Sequence, residues 1–296
     1  MRLRCVAQPR TPRVHAPRVT SESGDACVNE RLPFRAFCHI EKIAQQNVAF
    51  MIVVYSVYGS EKYFKDMQQS AASVRRWHPD ARIICYTTPE GARTLADFAG
   101  EVRVIDDIRP KETSWHDPAF KVAAINRAFG EPFLFLDNDT YVAAPLTDAF
   151  GLLNSFDLLA VLAPITDQRI VKSYPTLEYA TNVSAAFGEV NAGVLFISDG
   201  HKAEALLKRW QQLLLVNPHE LGDQWRLRIA LFEVLPRLGV LSNVYNYRLF
   251  ARQPIFGLLH ILHGPADSLP DVEKRLNTRT SYRHVAIKNG LLDLAD

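Results

Sequence analysis

The chain reads as an α/β protein built on a mostly parallel sheet, and two observations predict this. From residue 49 onward, short apolar runs alternate with helix-patterned segments for about ninety residues, the order that yields a parallel sheet flanked by helices. No internal repeat, low-complexity tract or Gly/Ser linker divides residues 51–296. Residues 49–296 are therefore expected to form one domain whose C-terminal half is more mixed than its first.

Residues 51–58 (MIVVYSVY) are rich in β-branched and aromatic side chains and stop at Gly59-Ser60, which reads as a buried strand and a turn. Tyr63, Phe64, Met67, Ala71 and Val74 recur at helical spacing, and Pro79 is a stop signal. A strand is expected over 82–88, a short helix over 90–98 and a third strand over 102–105. Asp117-Pro118 supplies a cap and a proline at the first helical position, with Gly130 as the end cap. Residues 132–136 (PFLFL) form the next strand and run into Asp137-Asn138-Asp139. Beyond it, strands are expected over 156–163, 192–197, 239–245 and 258–262, and helices over 201–215 and 223–235.

Composition narrows the classes. The 296 residues carry a formal net charge of +2 and are 48% apolar, as in ordinary globular proteins. A near-neutral chain is not expected to be a nucleic-acid binder, which needs a basic stripe. Apolar runs such as 158–165 fall far short of the roughly 20 residues that span a bilayer, so no transmembrane segment is expected. The first fifty residues differ from the rest, with net charge +4 and three of the four cysteines. Pro9, Pro12 and Pro17 break the helix that a transit peptide would need, and there is no apolar stretch for a secretory signal. Residues 1–48 are read as a disordered or extraneous extension. Cys85, inside an apolar run, is expected as a buried thiol, and no disulfide framework is possible.

Ligands of open α/β sheets bind at the carboxyl ends of the strands, where Asp137-Asn138-Asp139-Thr140 stands. Two carboxylates two residues apart can turn toward one hard divalent cation and leave coordination positions for phosphate oxygens. A solvated turn is the structural alternative, since Asp and Asn favour turns anyway. An EF-hand is excluded, because its next ligand position would be Tyr141 and its glycine position Val142.

The run FLFLDNDTYV resembles the D-x-D strand end of GT-A glycosyltransferases, particularly the family 8 type related to glycogenin and the bacterial galactosyltransferases. Further segments are similar in the same order: Phe120-Lys121, then Glu189-Val190-Asn191-Ala192-Gly193-Val194, then Asp223-Gln224, then His263-Gly264. The resemblance covers about residues 51–265 and implies a Rossmann-like sheet and transfer of a hexose from a nucleotide diphospho-sugar, a UDP-sugar foremost, to an acceptor it does not identify. It implies that Asp137, Asp139 and His263 hold Mn²⁺ or Mg²⁺, and that Asp223 and Gln224 take the catalytic position. Lys121, Asn138, Asn191 and Gly264 would lie around the donor, with Tyr55, Ser56 and Tyr58 at the end of strand one near the base. Either tyrosine would stack on uracil or simply pack. His260 and His263 have opposite strand parity, so one of them alone faces the metal, and His263 is preferred because it precedes a glycine. Asn191 and Gly193 have a purely structural alternative at the start of a strand, and Asp223 one as the N-cap of its helix.

Two departures stand out. Family 8 chains continue past the glycine to a lysine at the departing diphosphate, whereas Gly264 is followed by Pro265-Ala266-Asp267. Stabilisation of the leaving group is then expected from elsewhere, with Lys274 or Arg275 as candidates, or is weaker. Asn138-Asp139-Thr140 is also an N-glycosylation sequon, and a glycan there would block the site, so a cytoplasmic location is expected. Competing readings are a haloacid-dehalogenase-like phosphatase, which also uses a strand followed by D-x-D, and a non-catalytic sugar-nucleotide-binding protein. The phosphatase pattern places Thr where this chain has Tyr141, and three strands precede the motif here.

Overall fold

A computed structural model of the chain describes residues 51–108, 110, 117–163, 183–184, 186–216, 222–249, 253–264, 277–278 and 281, with the backbone of 283–288 and 291–295. All of them fall within the unit Lys42–Asp296. The readings of residues 1–48, Pro265, Ala266, Asp267, Lys274 and Arg275 lie outside the described residues.

Strands β1 (Ile52–Val57), β2 (Arg82–Thr87), β3 (Glu101–Val104) and β4 (Phe133–Leu136) are parallel and lie in the order β3-β2-β1-β4. Beyond β4 the sheet continues with β7 (Val190–Ile197), β6 (Leu158–Leu162) and β8 (Leu238–Val240). Only β7 runs against its neighbours, pairing antiparallel with β4 and β6 while β6 and β8 are parallel. The result is the expected mostly parallel α/β architecture. Periodicity carries no information about strand direction, which is why the reversal of β7 is not legible in the sequence.

The apolar runs are continuous because both faces of the sheet are covered. Ile52, Val54, Phe133 and Phe135 enter a core formed with α3 (Pro118–Ala128), α5 (His201–Val216) and α6 (Asp223–Val234). Val53, Tyr55, Val57, Leu134 and Leu136 enter the opposite core, with α1 (Glu61–Trp77) and α4 (Thr147–Gly151). Cys85 is buried there, as expected, and burial pushes its thiol pKa up. Asp117 caps α3, its Oδ1 accepting from the N–H groups of Ala119 (2.9 Å) and Phe120 (3.4 Å). The helix expected over 90–98 is the shorter α2 (Pro89–Thr94), capped by the Thr88 hydroxyl.

Two expected strands are corrected. Residues 239–245 divide into β8 and a 3-10 turn over Asn243–Tyr245, whose backbone groups are taken locally, the Tyr245 N–H donating to the Ser242 carbonyl (3.0 Å) and the Asn246 N–H to the Asn243 carbonyl (3.2 Å). Of 258–262, only its end joins β11 (Ile261–His263), because the Leu259 N–H is taken by the Asn277 side chain. Several short strands have no sequence signature of their own. β5 (Thr140–Val142), β11 and β9 (Tyr247–Arg248) form one small sheet, in which β11 is antiparallel to β5 and parallel to β9. It packs on its own core of Tyr141, Tyr247, Leu259 and Leu262. β10 (Pro254–Ile255), β12 (Arg283–Lys288) and β13 (Leu291–Ala295) form another.

Strand β7 is irregular where it matters. Its pairing with β6 advances from Leu195 to Val190 while β6 advances only from Ala160 to Leu162. Val190 and Ala192 consequently share a core with Leu195 and Ile197, while Val194 and Phe196 enter the other. A bulge of this kind re-aims side chains. Here it affects Asn191 to Val194.

Candidate metal and donor site

Chain order reverses between β1 and β4, since β2 and β3 lie on one side of β1 and β4 on the other. The crevice at the carboxyl ends of these two strands is the position where such sheets bind ligands. Asp137 follows β4 directly, and its N–H donates to the Gly193 carbonyl at 2.8 Å. The turn is secured from below, because the Thr140 hydroxyl donates to the Asp137 carbonyl (2.8 Å) and contacts Ser70 Oγ (2.8 Å), which in turn contacts the Tyr55 hydroxyl (2.9 Å).

Pairing of β5 with β11 sets His263 opposite Thr140, and the Gly264 N–H donates to the Asp139 carbonyl at 3.0 Å. Nε2 of His263 then lies 3.3 Å from Asp139 Oδ1 and 3.6 Å from Asp137 Oδ2. His263 Nδ1 meets Asn246 Oδ1 at 2.8 Å, while Asn246 Nδ2 donates to Asn191 Oδ1, also at 2.8 Å. Because the Asn246 amide nitrogen is thus committed, its oxygen faces the ring. Nδ1 of His263 donates to that oxygen, and the ring is thereby held with Nε2 on the side of the carboxylates.

The hydrogen-bond chain continues inward. Asn191 Oδ1 also accepts the Gly193 N–H (2.9 Å), and Asn191 Nδ2 donates to Gln224 Oε1 (3.0 Å). Gln224 Oε1 accepts the Ala192 N–H (3.4 Å), and its amide nitrogen donates to Glu189. Asn191 and Gln224 are therefore joined to His263 through Asn246.

Lys121, 4% exposed, sits between two carboxylates, 2.7 Å from Asp137 Oδ1 and 2.7 Å from Asp223 Oδ2. Burial opposes its charge, but Asp137 and Asp223 outweigh it and raise the ammonium pKa. Asp223 is the first residue of α6, not its cap, which is Gly222. Trp210 Nε1 anchors that helix start by donating to the Asp223 carbonyl at 2.8 Å. Burial likewise opposes ionisation of Asp139, but His263 and Arg248 bring its pKa down to about 2. Nη1 of Arg248 is 2.7 Å from Nε2 and 3.1 Å from Nδ1 of His263. An atom that close to both ring nitrogens lies over the ring face rather than at its edge.

The remaining expectations divide. His263, not His260, joins the carboxylates, because His260 stacks on Tyr245 at 4.2 Å and its Nδ1 meets the Pro145 carbonyl at 2.6 Å. Tyr55 does not stack on a ligand, since it is fully buried and its hydroxyl is engaged by Ser70. Its alternation with Val53 and Val57 points it into the core, from which it supports the Asp137 turn. Tyr58 is half-buried and lies edge-on to Phe120, with ring centroids 5.0 Å apart. Ser56 stays partly exposed in β1 and joins none of the hydrogen bonds above. Asn138 is partly exposed, yet its Oδ1 is buried with no hydrogen-bond partner among the described residues. Sequence reasoning misses Asn246 and Arg248, and it gives Glu189 no role.

Asp137, Asp139 and His263 each offer one ligand atom, all within 4.8 Å of one another. Adjacent ligands at bonds of about 2.1 Å lie about 3 Å apart, close to the spacing found here. A Cβ built on Gly193 would overlap His263 Cε1 and Asp137 Oδ2 and stand 2.9 Å from His263 Nε2. The residues present therefore fit a divalent cation. Among the described residues, the carboxylates of Asp137, Asp139 and Asp223 face Lys121 and Arg248. Among the described residues, no helix is long and apolar enough to cross a membrane.

No protein family and no curated protein matches the chain in sequence. In fold, the chain is similar to solved structures. The chain is similar to the galactosyltransferase LgtC in complex with donor and acceptor sugar analogues, with TM-score 0.49 and 16% identity over 77% of this chain and 97% of that one. It is also similar to the apo-form glycosyltransferase GlyE of Streptococcus pneumoniae, with TM-score 0.48 and 18% identity over 78% of this chain. The chain spans 61% of GlyE. A third is a glycosyltransferase involved in glycosylation of the major capsid of PBCV-1, with TM-score 0.43 and 15% identity over 77% of this chain and 98% of that one.

Proposed function

We propose that the chain is a metal-dependent glycosyltransferase that moves a hexose from a nucleotide diphospho-sugar, a UDP-sugar, to an acceptor. The observation that carries this reading is the convergence of Asp137, Asp139 and Nε2 of His263 at the β1/β4 crevice, in space that the absent side chain of Gly193 provides. Mn²⁺ or Mg²⁺ held by these residues would supply Lewis acidity to the diphosphate leaving group. Asn246 engages Nδ1 and so holds the imidazole with Nε2 toward the carboxylates. Lys121 holds Asp137 and Asp223 in place and offsets their charge. Asp223, Gln224 and Asn191 line the same end of the sheet and orient the donor sugar. The Oδ1 of Asn138, without a hydrogen-bond partner among the described residues, suits a hydroxyl or amide donor of the bound nucleotide-sugar. Tyr58 is the tyrosine left for the base.

The test is binding of UDP and UDP-sugars by calorimetry with and without Mn²⁺, and then a screen for Mn²⁺-dependent UDP release. Asp137→Asn and Asp139→Asn should each weaken Mn²⁺-dependent UDP binding, since both remove charge that offsets the cation. A phosphatase would instead hydrolyse a simple phosphomonoester in Mg²⁺ and trap a metal fluoride at Asp137. That outcome, together with no UDP-sugar binding under any metal, would overturn the assignment.

A further inference from the structure

Among the described residues, Lys121 and Arg248 face the carboxylates of Asp137, Asp139 and Asp223, and they are held differently. Lys121 is locked, with a carboxylate oxygen at 2.7 Å on each of two sides and 4% exposure. Arg248 is less buried, sits on a strand of two residues, and lies over the imidazole whose lone pair a metal would use. The apolar packing of that segment is carried by its neighbours Tyr247 and Leu249, so the guanidinium can shift without unseating them. Its charge stands close to where a divalent ion would bring two more.

We propose that Arg248 is a resident counter-cation of the Asp137–Asp139–His263 group, which competes with the divalent ion and, once displaced by it, contacts the diphosphate. The second half rests on the glycosyltransferase reading, and the first does not. The physical case is repulsion. A guanidinium within a few ångströms of a divalent ion in a half-buried site costs affinity that its departure recovers. A planar guanidinium with several N–H donors is also the side chain best shaped to grip a diphosphate. It would do there what no lysine directly after Gly264 can do, since Pro265-Ala266-Asp267 offers none.

The test is titration of the full chain with Mn²⁺ alone, read by calorimetry and by loss of the free-Mn²⁺ paramagnetic resonance signal, and then with UDP at saturating Mn²⁺. Arg248→Met should bind Mn²⁺ about tenfold more tightly than the parent and UDP about tenfold more weakly. Arg248→Lys, which keeps the charge without the planar fork, should change Mn²⁺ affinity less than Arg248→Met and still lose UDP affinity. Should Arg248→Met not fold, as read by circular dichroism and melting, Arg248→Lys decides on UDP, and Arg248→Gln takes the place of Arg248→Met for Mn²⁺. A merely structural arginine would move both affinities in one direction or neither, and either result overturns the proposal. Failure of parent and variant alike to bind Mn²⁺ also overturns it. A parent that binds Mn²⁺ but no nucleotide would sink the glycosyltransferase reading instead, and opposite ranking of the Mn²⁺ affinities would then still decide the competition.

Discussion

Gly193 has no side chain where His263 needs the room, since a Cβ there would overlap the imidazole Cε1 and the Oδ2 of Asp137 together. Neither neighbour can retreat easily, because His263 is held in a strand and by Asn246, and Asp137 by Lys121. Gly193→Ala should therefore leave the fold intact by circular dichroism but lower Mn²⁺ affinity by about tenfold or more, through displaced ligands. An alanine variant with unchanged Mn²⁺ affinity would show that the group does not act as a ligand set.

Lys121 separates two carboxylates that would otherwise face each other in a largely buried site. Lys121→Met should destabilise the protein by about 3 kcal/mol, the scale expected when one member of a buried charge cluster is removed. Because the loss comes mainly from unpaired negative charge, Lys121→Met combined with Asp223→Asn should recover part of it. Urea denaturation of the two variants checks the sign of that difference.

Asn191 joins Gly193, Asn246 and Gln224, and the proposal places it at the donor sugar rather than at the base or diphosphate. Asn191→Ala should reduce turnover by about tenfold or more while its affinity for free UDP stays within about a few-fold of the parent. Collapse of UDP binding in a folded variant would assign the residue to a different part of the ligand.

Away from the site, Asp157 is 2% exposed and takes three hydrogen bonds from Arg237, including its backbone N–H at 2.7 Å. Those bonds lower the Asp157 pKa below its ordinary value. A carboxyl with a lowered folded-state pKa contributes stability that is present above its unfolded value, near about 3.9, and is lost as pH falls through the folded one. Asp157→Asn should cost about 1–3 kcal/mol at neutral pH. The stability difference between parent and variant should narrow below about pH 4, and a gap that stays constant into acid would contradict the assignment.

Strand ends are readable in the sequence because both faces of the main sheet are covered, so β1 and β4 appear as unbroken apolar runs and Asp137 and Asp139 stand out where β4 stops. Parity allows one of His260 and His263 alone to face the carboxylates, and the glycine that follows His263 decides between them. Parity also separates Tyr55 from Tyr58 once the inward face of β1 is known, but an unbroken apolar run does not reveal which face that is. Asn246 and Arg248 are invisible for a different reason. They lie beside a 3-10 turn and on a two-residue strand, elements too short to generate any period, and their importance comes from a contact with His263 made across the small sheet. A cap is the ordinary use of an acidic residue at a helix start, whereas the chain uses Gly222 for the cap and spends the Asp223 carboxylate on Lys121.

The bulge in β7 divides that strand's two edges unequally. Toward β4 the pairing is regular from Phe133 with Ile197 to Leu136 with Val194, and the bond from the Asp137 N–H to the Gly193 carbonyl extends it. All the slack falls on the edge toward β6. The distance between Asp137 and Gly193 is thereby metered by the central ladder, and the register shift toward β6 does not reset it. The room beside Gly193 that His263 and Asp137 fill is therefore set by the regular edge of β7 and not by its irregular one.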